Sequence, residues 1–347
     1  MKRLIILAAT LIAGLSACDS LLDKEPLDRV TQFDYFKTRS DLELFSNPFY
    51  DNLLDKTPYD EQNDLLVQMT LSDVLYGGDK RTVPNTGGGW SWGNLRRINT
   101  LLEYVDQCED KKAVTEYTAL AKFFRAAFYF DKVKRFGDVP WYDEPIDPDD
   151  DEQLYKGRDP RDYVMQKVLE DLDFAATWCS KASKYVNTNV INRYVALALK
   201  SRICLYEGTW RKYHGLDGSE EWLRACVAAS EELMGDSPYS LVSTAGEETT
   251  NYSKVFKSEE PQYTEVILAN EFNATLNRFH DASWYYASGS YGQRNSGPKA
   301  FVNMYLNLDG TRFTDKDGYN KTQFKDEFAG RDYRLRQTFI TPYYVKK

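Results

Sequence analysis

Two loop-like stretches of the sequence carry the residue types that hold hydroxyl-rich ligands. One has Tyr76 followed by Trp90, Trp92 and Asn94. The other has Trp284-Tyr285-Tyr286, then Tyr291, Gln293, Arg294 and Asn295. A sugar ring presents apolar C–H patches and a rim of hydroxyls, so a flat aromatic face flanked by amides and guanidinium groups suits it. The competing reading is that the same rings pack the loops onto the rest of the fold. No fixed spacing ties the members of either stretch together. Composition and loop position alone make them candidate ligand contacts.

Other chemistries fit poorly. The acid run Asp147-Pro148-Asp149-Asp150-Asp151-Glu152 lacks the glycine turn and alternating ligands of a calcium loop, and Asp315-Lys316-Asp317-Gly318 lacks a third acidic ligand. Glycoside hydrolysis needs two carboxylates held at a fixed separation on rigid elements, which a solvated acid loop does not provide. His214 and His280 have no serine or cysteine partner pattern. The Gly87-Gly88-Gly89 run is not followed by the Lys-Ser/Thr pair of a phosphate loop. Cys108, Cys179, Cys204 and Cys226, spaced by 71, 25 and 22 residues, match neither a zinc motif nor a redox pair and read as buried free thiols. With a net charge of −9 and no basic block, nucleic acid is not an expected partner. No catalysis, cofactor or metal is expected.

The first residues carry a different signal. Lys2-Arg3 is a short basic region, and Leu4 to Leu15 is an apolar run too short to span a bilayer comfortably. Leu15-Ser16-Ala17-Cys18 then matches the bacterial lipobox, in which small residues precede a cysteine that is lipidated and becomes the new N-terminus. Residues 1–17 are read as a leader, Cys18 as the lipidation site and 18–38 as a tether and entry segment. Acyl chains supply roughly 0.8 kcal/mol per buried CH₂, and several of them make the anchor stable. Removing Lys2 and Arg3 would take the net charge from −9 to −11.

The loops must be carried by the remainder, 39–347, which reads as one domain of ordinary globular balance, 42% hydrophobic and 28% charged. Its organising stretch is Glu116 to Tyr142, with Thr115 as its cap, Gly137 to close it and Pro140 to prevent resumption. Only a narrow stripe there (Lys122, Arg125, Lys132, Arg135) is polar, so the helix must be packed on several sides. Before it, Ser40-Asp41-Leu42-Glu43 reads as a capping box, with Pro48 placed to kink that helix, and Leu95, Ile98, Leu101, Leu102 and Val105 form one apolar face. After it, Asp159-Pro160 reads as an N-cap and first helical residue. Asn189 caps a helix closed by Gly208, and Ser219 caps one closed by Gly235. Ala119, Phe123 and Ala126 reproduce the Ala-x₃-Phe-x₂-Ala core of a tetratricopeptide repeat, although the ~34-residue period is not kept. Beyond Gly246, residues 263–269 read as a short strand, 298–306 as a short helix and 335–341 as extended chain. The expected fold is mainly α: tetratricopeptide-like helical pairs over about 94–236, with long irregular loops over about 56–93 and 246–347 and a few short β-strands.

Several of these stretches together resemble the SusD/RagB family. They are the lipobox start, Phe123-Phe124-Arg125-Ala126-Ala127-Phe128-Tyr129-Phe130 leading to Arg135-Phe136-Gly137-Asp138-Val139-Pro140, the Val164–Ala176 helix and Ala196-Leu197-Ala198-Leu199-Lys200-Ser201-Arg202. Downstream, Gly297 to Tyr305 with Asp309-Gly310, and Gly330-Arg331-Asp332-Tyr333-Arg334-Leu335, are similar too. The resemblance implies an outer-membrane lipoprotein anchored through Cys18 and facing outward, which binds an oligo- or polysaccharide without catalysis. Its partner would be a TonB-dependent, SusC-like outer-membrane transporter. The family continues through a further helical pair, so the chain reads as C-terminally truncated. Sugar contacts in the family lie on variable loops, so only Cys18 carries over residue by residue. The alternatives are a lipid-anchored, tetratricopeptide-like scaffold that binds only protein, and a glycoside hydrolase.

Overall fold

A computed structural model describes residues 35–54, 64–69, 84–290, 292, 294–342 and 344. The leader, Cys18, Tyr76, Tyr291 and Gln293 lie outside the described residues. Eleven α-helices appear among those described: α1 (Arg39–Ser46), α2 (Gly93–Tyr104), α3 (Lys111–Phe136), α4 (Asp151–Leu154), α5 (Arg161–Trp178), α6 (Arg193–His214), α7 (Ser219–Asp236), α8 (Asn251–Lys257), α9 (Ala282–Ala287), α10 (Lys299–Met304) and α11 (Tyr333–Thr338). The fold is mainly α, as the apolar periodicity predicts. Among the described residues β-structure is limited to isolated bridges.

The long helices form a layer in which α1 and α2 pack on α3, α3 on α5, α5 on α6 and α6 on α7. Helix α3 sits between two apolar clusters. Toward its start Ala119, Phe123 and Phe124 are buried with Leu42, Ile98, Leu101, Ala175 and Val195, and toward its end Tyr129, Phe130 and Val133 are buried with Val164, Leu172 and Ile203. Each buried Val, Leu, Ile or Phe side chain among them stabilises the fold by about 1.5–3 kcal/mol. The three tetratricopeptide-spaced residues, Ala119, Phe123 and Ala126, are all essentially inaccessible. Packing begins before 39, since Phe36 is buried and stacks on Tyr104 at 5.6 Å.

Several boundaries differ from expectation, each for a local reason. Asp110, not Thr115, caps α3, its carboxylate accepting from the Lys112 and Ala113 N–H groups. The capping box of α1 is Thr38 with Asp41, two residues earlier than expected, and Pro48 opens a 3₁₀ segment (Asn47–Asn52) instead of kinking a helix. Pro160 itself occupies the cap position of α5, while the Asp159 carboxylate accepts the Trp141 N–H at 2.7 Å. Asn192 caps α6, and Asn189 instead holds the 263–271 segment through Tyr263, Ala269 and Glu271. Gly208 does not end α6. A Cβ there would meet the Leu223 side chain at 2.8 Å, so this glycine is the place where α7 comes closest. Gly218 precedes α7, which runs through Gly235 to Asp236.

The first half of the polar stripe of α3 is used inward. The Arg125 guanidinium is buried and meets both oxygens of buried Asp171, at 2.6 and 2.9 Å, with Lys122 on the same carboxylate at 2.8 Å. At the exit of α3, Gly137 has φ +71°, and its N–H reaches the Val133 carbonyl. Asp138 accepts the Arg161 N–H at 2.8 Å, and Val139 bridges to Asp159. The Phe-Gly-Asp-Val-Pro stretch therefore ties the end of α3 to the start of α5. Glu207, fully buried on α6, is held by Arg161 at 2.5 Å and Arg211 at 2.9 Å.

The region after 246 has a small core of its own, in which Val302, Phe328 and Leu335 are buried against Tyr305 and Phe339. Buried Arg331 organises it, donating to the Glu327, Val302 and Tyr305 carbonyls while lying 4.0 Å over the Phe313 ring. The expected strand at 263–269 is turn, and Ile267 and Leu268 pack against the helical layer instead. The expected extended run at 335–341 is mostly α11, capped by Asp332.

Candidate functional site

Lys132 and Arg135, at the end of α3, fix the first aromatic stretch by donating to the Gly89 carbonyl at 2.5 Å and the Gly88 carbonyl at 2.7 Å. The glycine run is thus a strap over the helix end. It carries Trp90 edge-on to Trp92 (5.1 Å) and to Phe136 (4.9 Å), with the Arg158 guanidinium 4.9 Å over the Trp90 ring. Trp92 is half-buried among Phe128, Tyr129 and Tyr142. Trp90 keeps 44% of its surface exposed. Asn94, exposed on the first turn of α2, lines a cavity of about 240 Å³ with Arg97, Phe128, Asp131 and Lys132. Burial pushes the Lys132 ammonium below its ordinary pKa. Trp92 packs, and Trp90 packs on one edge while offering surface to solvent.

The second stretch is built differently. Residues 284–286 lie on α9, a short helix and not the loop the sequence implied. Trp284 and Tyr286 are about half exposed, at 52% and 47%, whereas Tyr285 turns inward and its hydroxyl accepts from the Gln68 amide. Tyr285 is therefore a buried support in this arrangement and not an exposed ring. It fastens α9 to 64–69, which bridges to Ser296 through Val67. Arg294 is exposed and holds φ +51°. Next to it, both polar atoms of the Asn295 amide are covered without a hydrogen-bond partner, an arrangement that costs free energy until a donor and acceptor arrive. Among the described residues no ring of one stretch stacks on a ring of the other, so the structure presents two separate aromatic surfaces.

Two residues that shape the first surface escaped the sequence reading of the site. Phe136 belongs to the α3 stripe with Lys132, a signal present at i, i+4 spacing. Arg158 arrives from the acid-rich connector, and nothing local marks it. The histidines are structural, His214 stacking on Trp210 and His280 accepting the Ala282 N–H. Asp150, in the acid run, caps α4. Among the described residues no cluster of three or more potential metal ligands occurs, and no helix is long and apolar enough to cross a membrane.

A helical-pair layer with exposed aromatic and guanidinium groups on the segments beside it defines the class, and known proteins of that class are similar in sequence and shape. A SusD-like protein of Formosa agariphila is 22% identical over 323 residues, 86% of this chain and 56% of its own length. A SusD-like protein from Bacteroides fragilis NCTC 9343 superposes with a TM-score of 0.64 at 18% identity, over 90% of this chain and 63% of that one. A SusD-like carbohydrate-binding protein of the same strain gives a TM-score of 0.62 at 15% identity, over 87% of this chain and 60% of that one. A structure holding a xylogluco-oligosaccharide gives 0.50 at 18% identity, over 67% of this chain and 46% of that one. No family model matches the chain. In sequence and shape the chain is similar to the SusD-like proteins, and it spans between half and two thirds of the length of the first of these relatives.

Proposed function

We propose that the protein is a non-catalytic, cell-surface glycan-binding lipoprotein. In this reading it is anchored in the outer membrane through Cys18 and hands an oligo- or polysaccharide to a TonB-dependent, SusC-like transporter. The observation that carries the reading is the pairing of exposed rings with guanidinium and amide groups, one set on a strap fixed to the end of α3 and the other on and after a short helix. Trp90 lies under Arg158, and Trp284 and Tyr286 lie near Arg294 and the unpaired Asn295 amide in sequence. Stacking on such rings recognises the apolar face of a sugar, and the polar groups recognise its rim. Affinity electrophoresis and calorimetry against a panel of polysaccharides test this. Binding of at least one without turnover, and co-purification of a transporter, are the expected results. Failure of the folded protein to bind any would overturn it.

One observation favours a second reading, a protein-binding scaffold: the outer side of α7 exposes Val227 and Met234 at 54% and 73%. Under that reading, replacing Trp90 and Trp284 with Ala would leave partner binding untouched.

A further inference from the structure

The start of α3 faces a cleft that the sequence did not indicate. Tyr117 lies 19 residues before Phe136, about 28 Å along the helix axis from the tryptophan surface. A cavity of about 650 Å³ opens there between α1, α3 and the segment 179–191, and it shares Tyr50, Asp51, Asn189 and Arg278 with a second chamber of about 600 Å³. Leu120, Cys179 and Ile191 are buried and give one side an apolar floor. Tyr50, Tyr117 and Tyr185 stand around it with Glu43. Tyr50 accepts the Ile191 N–H at 3.2 Å, which leaves its own proton to donate. Among the described residues the hydroxyls of Tyr117 and Tyr185 and the Glu43 carboxylate make no hydrogen bond.

The charges nearly cancel. Arg39 is paired with Glu116 at 2.7 Å and Asp110 at 3.1 Å, and Lys184 sits 4.6 Å over the Tyr185 ring, opposite in sign to Glu43. Burial holds the Tyr50 phenol up at about 12 and raises that of Tyr117, and the charge of Glu43 adds to both shifts. The phenols therefore stay protonated donors at neutral pH. An apolar floor ringed by phenol donors, with the carboxylates of Glu43, Asp51 and Glu116 offset by Arg39, Lys184 and Arg278, matches a neutral ring bearing hydroxyls. An anion would meet Glu43, and a hydrocarbon would leave the phenols unpaired.

We propose that this cleft is a second ligand site, which takes one neutral pyranose unit independently of the aromatic surfaces. It rests on the reading of the protein as a glycan binder and places a further contact on the opposite end of α3. Calorimetry of the full chain with glucose, galactose, mannose and xylose tests it, using two double variants checked for native circular dichroism. Trp90→Ala with Trp284→Ala removes the ring contacts and should leave one monosaccharide site. Tyr117→Phe with Glu43→Gln should weaken binding there at least tenfold, since the first removes a hydroxyl and the second replaces an acceptor-only carboxylate oxygen with an amide donor, both at nearly constant volume. Unchanged binding in the cleft variant overturns the inference and leaves the proposed function standing. So does complete loss of sugar binding in the tryptophan variant. Absence of binding to any monosaccharide or polysaccharide by the wild type overturns both.

Discussion

The layer α2–α7 and the region 246–342 use the same ingredients at different scales. In the layer, two continuous apolar clusters surround α3, and the few buried charges are paired across helices, as Arg125 with Asp171 and Arg161 with Glu207. In the later region three buried residues form the core, and one buried guanidinium, Arg331, satisfies backbone carbonyls rather than a carboxylate. Cooperative stability should reside in the first and local opening in the second.

The largest effect is expected in the layer. Asp171→Ala leaves Arg125 buried without its partner and should cost about 3–5 kcal/mol of global stability in urea unfolding. A loss below about 1 kcal/mol would mean that the layer relaxes around the charge. Leu335→Ala should cost about 2–3 kcal/mol but should appear as faster hydrogen exchange in α10 and α11, with α3 and α6 unchanged. Equal acceleration in α3 would merge the two regions into one cooperative unit. Smaller still, Tyr285→Phe removes the Gln68 bond and should cost about 0.5–1.5 kcal/mol, read as exchange in α9.

A pH effect separates the regions again. Burial raises the thiols of Cys179 and Cys204, both in the layer, to about 12. Their ordinary value near 9 applies once the chain unfolds. Stability from the neutral thiols is complete below pH 9 and is lost as pH rises from there toward 12, because the unfolded chain releases protons that the folded chain retains. The urea midpoint should fall across that window, and less in a Cys179→Ser, Cys204→Ser variant.

The sequence made the layer legible because its signals are local and redundant. Leu95, Ile98, Leu101 and Val105 repeat at helical spacing, and all four are buried. Helix ends were less legible, because several residues nearby can cap. Thr115 and Asp110 both offer an oxygen, and only the backbone geometry selects Asp110. Gly208 reads as a stop in one dimension and is a contact with Leu223 in three. In the later region the apolar run 263–269 looks like a strand, but no neighbouring strand pairs with it among the described residues. Its apolar side chains find the helical core instead. The orientation of the candidate site residues was not legible: Trp90 and Trp284 expose their rings, while Tyr285, between two exposed neighbours, faces inward on a helix that the sequence presented as loop.

The central claim is that the exposed rings contact polysaccharide. It is tested most directly by titrating the tightest-binding polysaccharide of a panel into wild type, Trp90→Ala and Trp284→Ala, with unfolding measured in parallel. We expect affinity to fall at least tenfold in one or both variants, with stability changed by less than about 1 kcal/mol, as surface positions allow. Unaltered affinity in both folded variants would contradict the account.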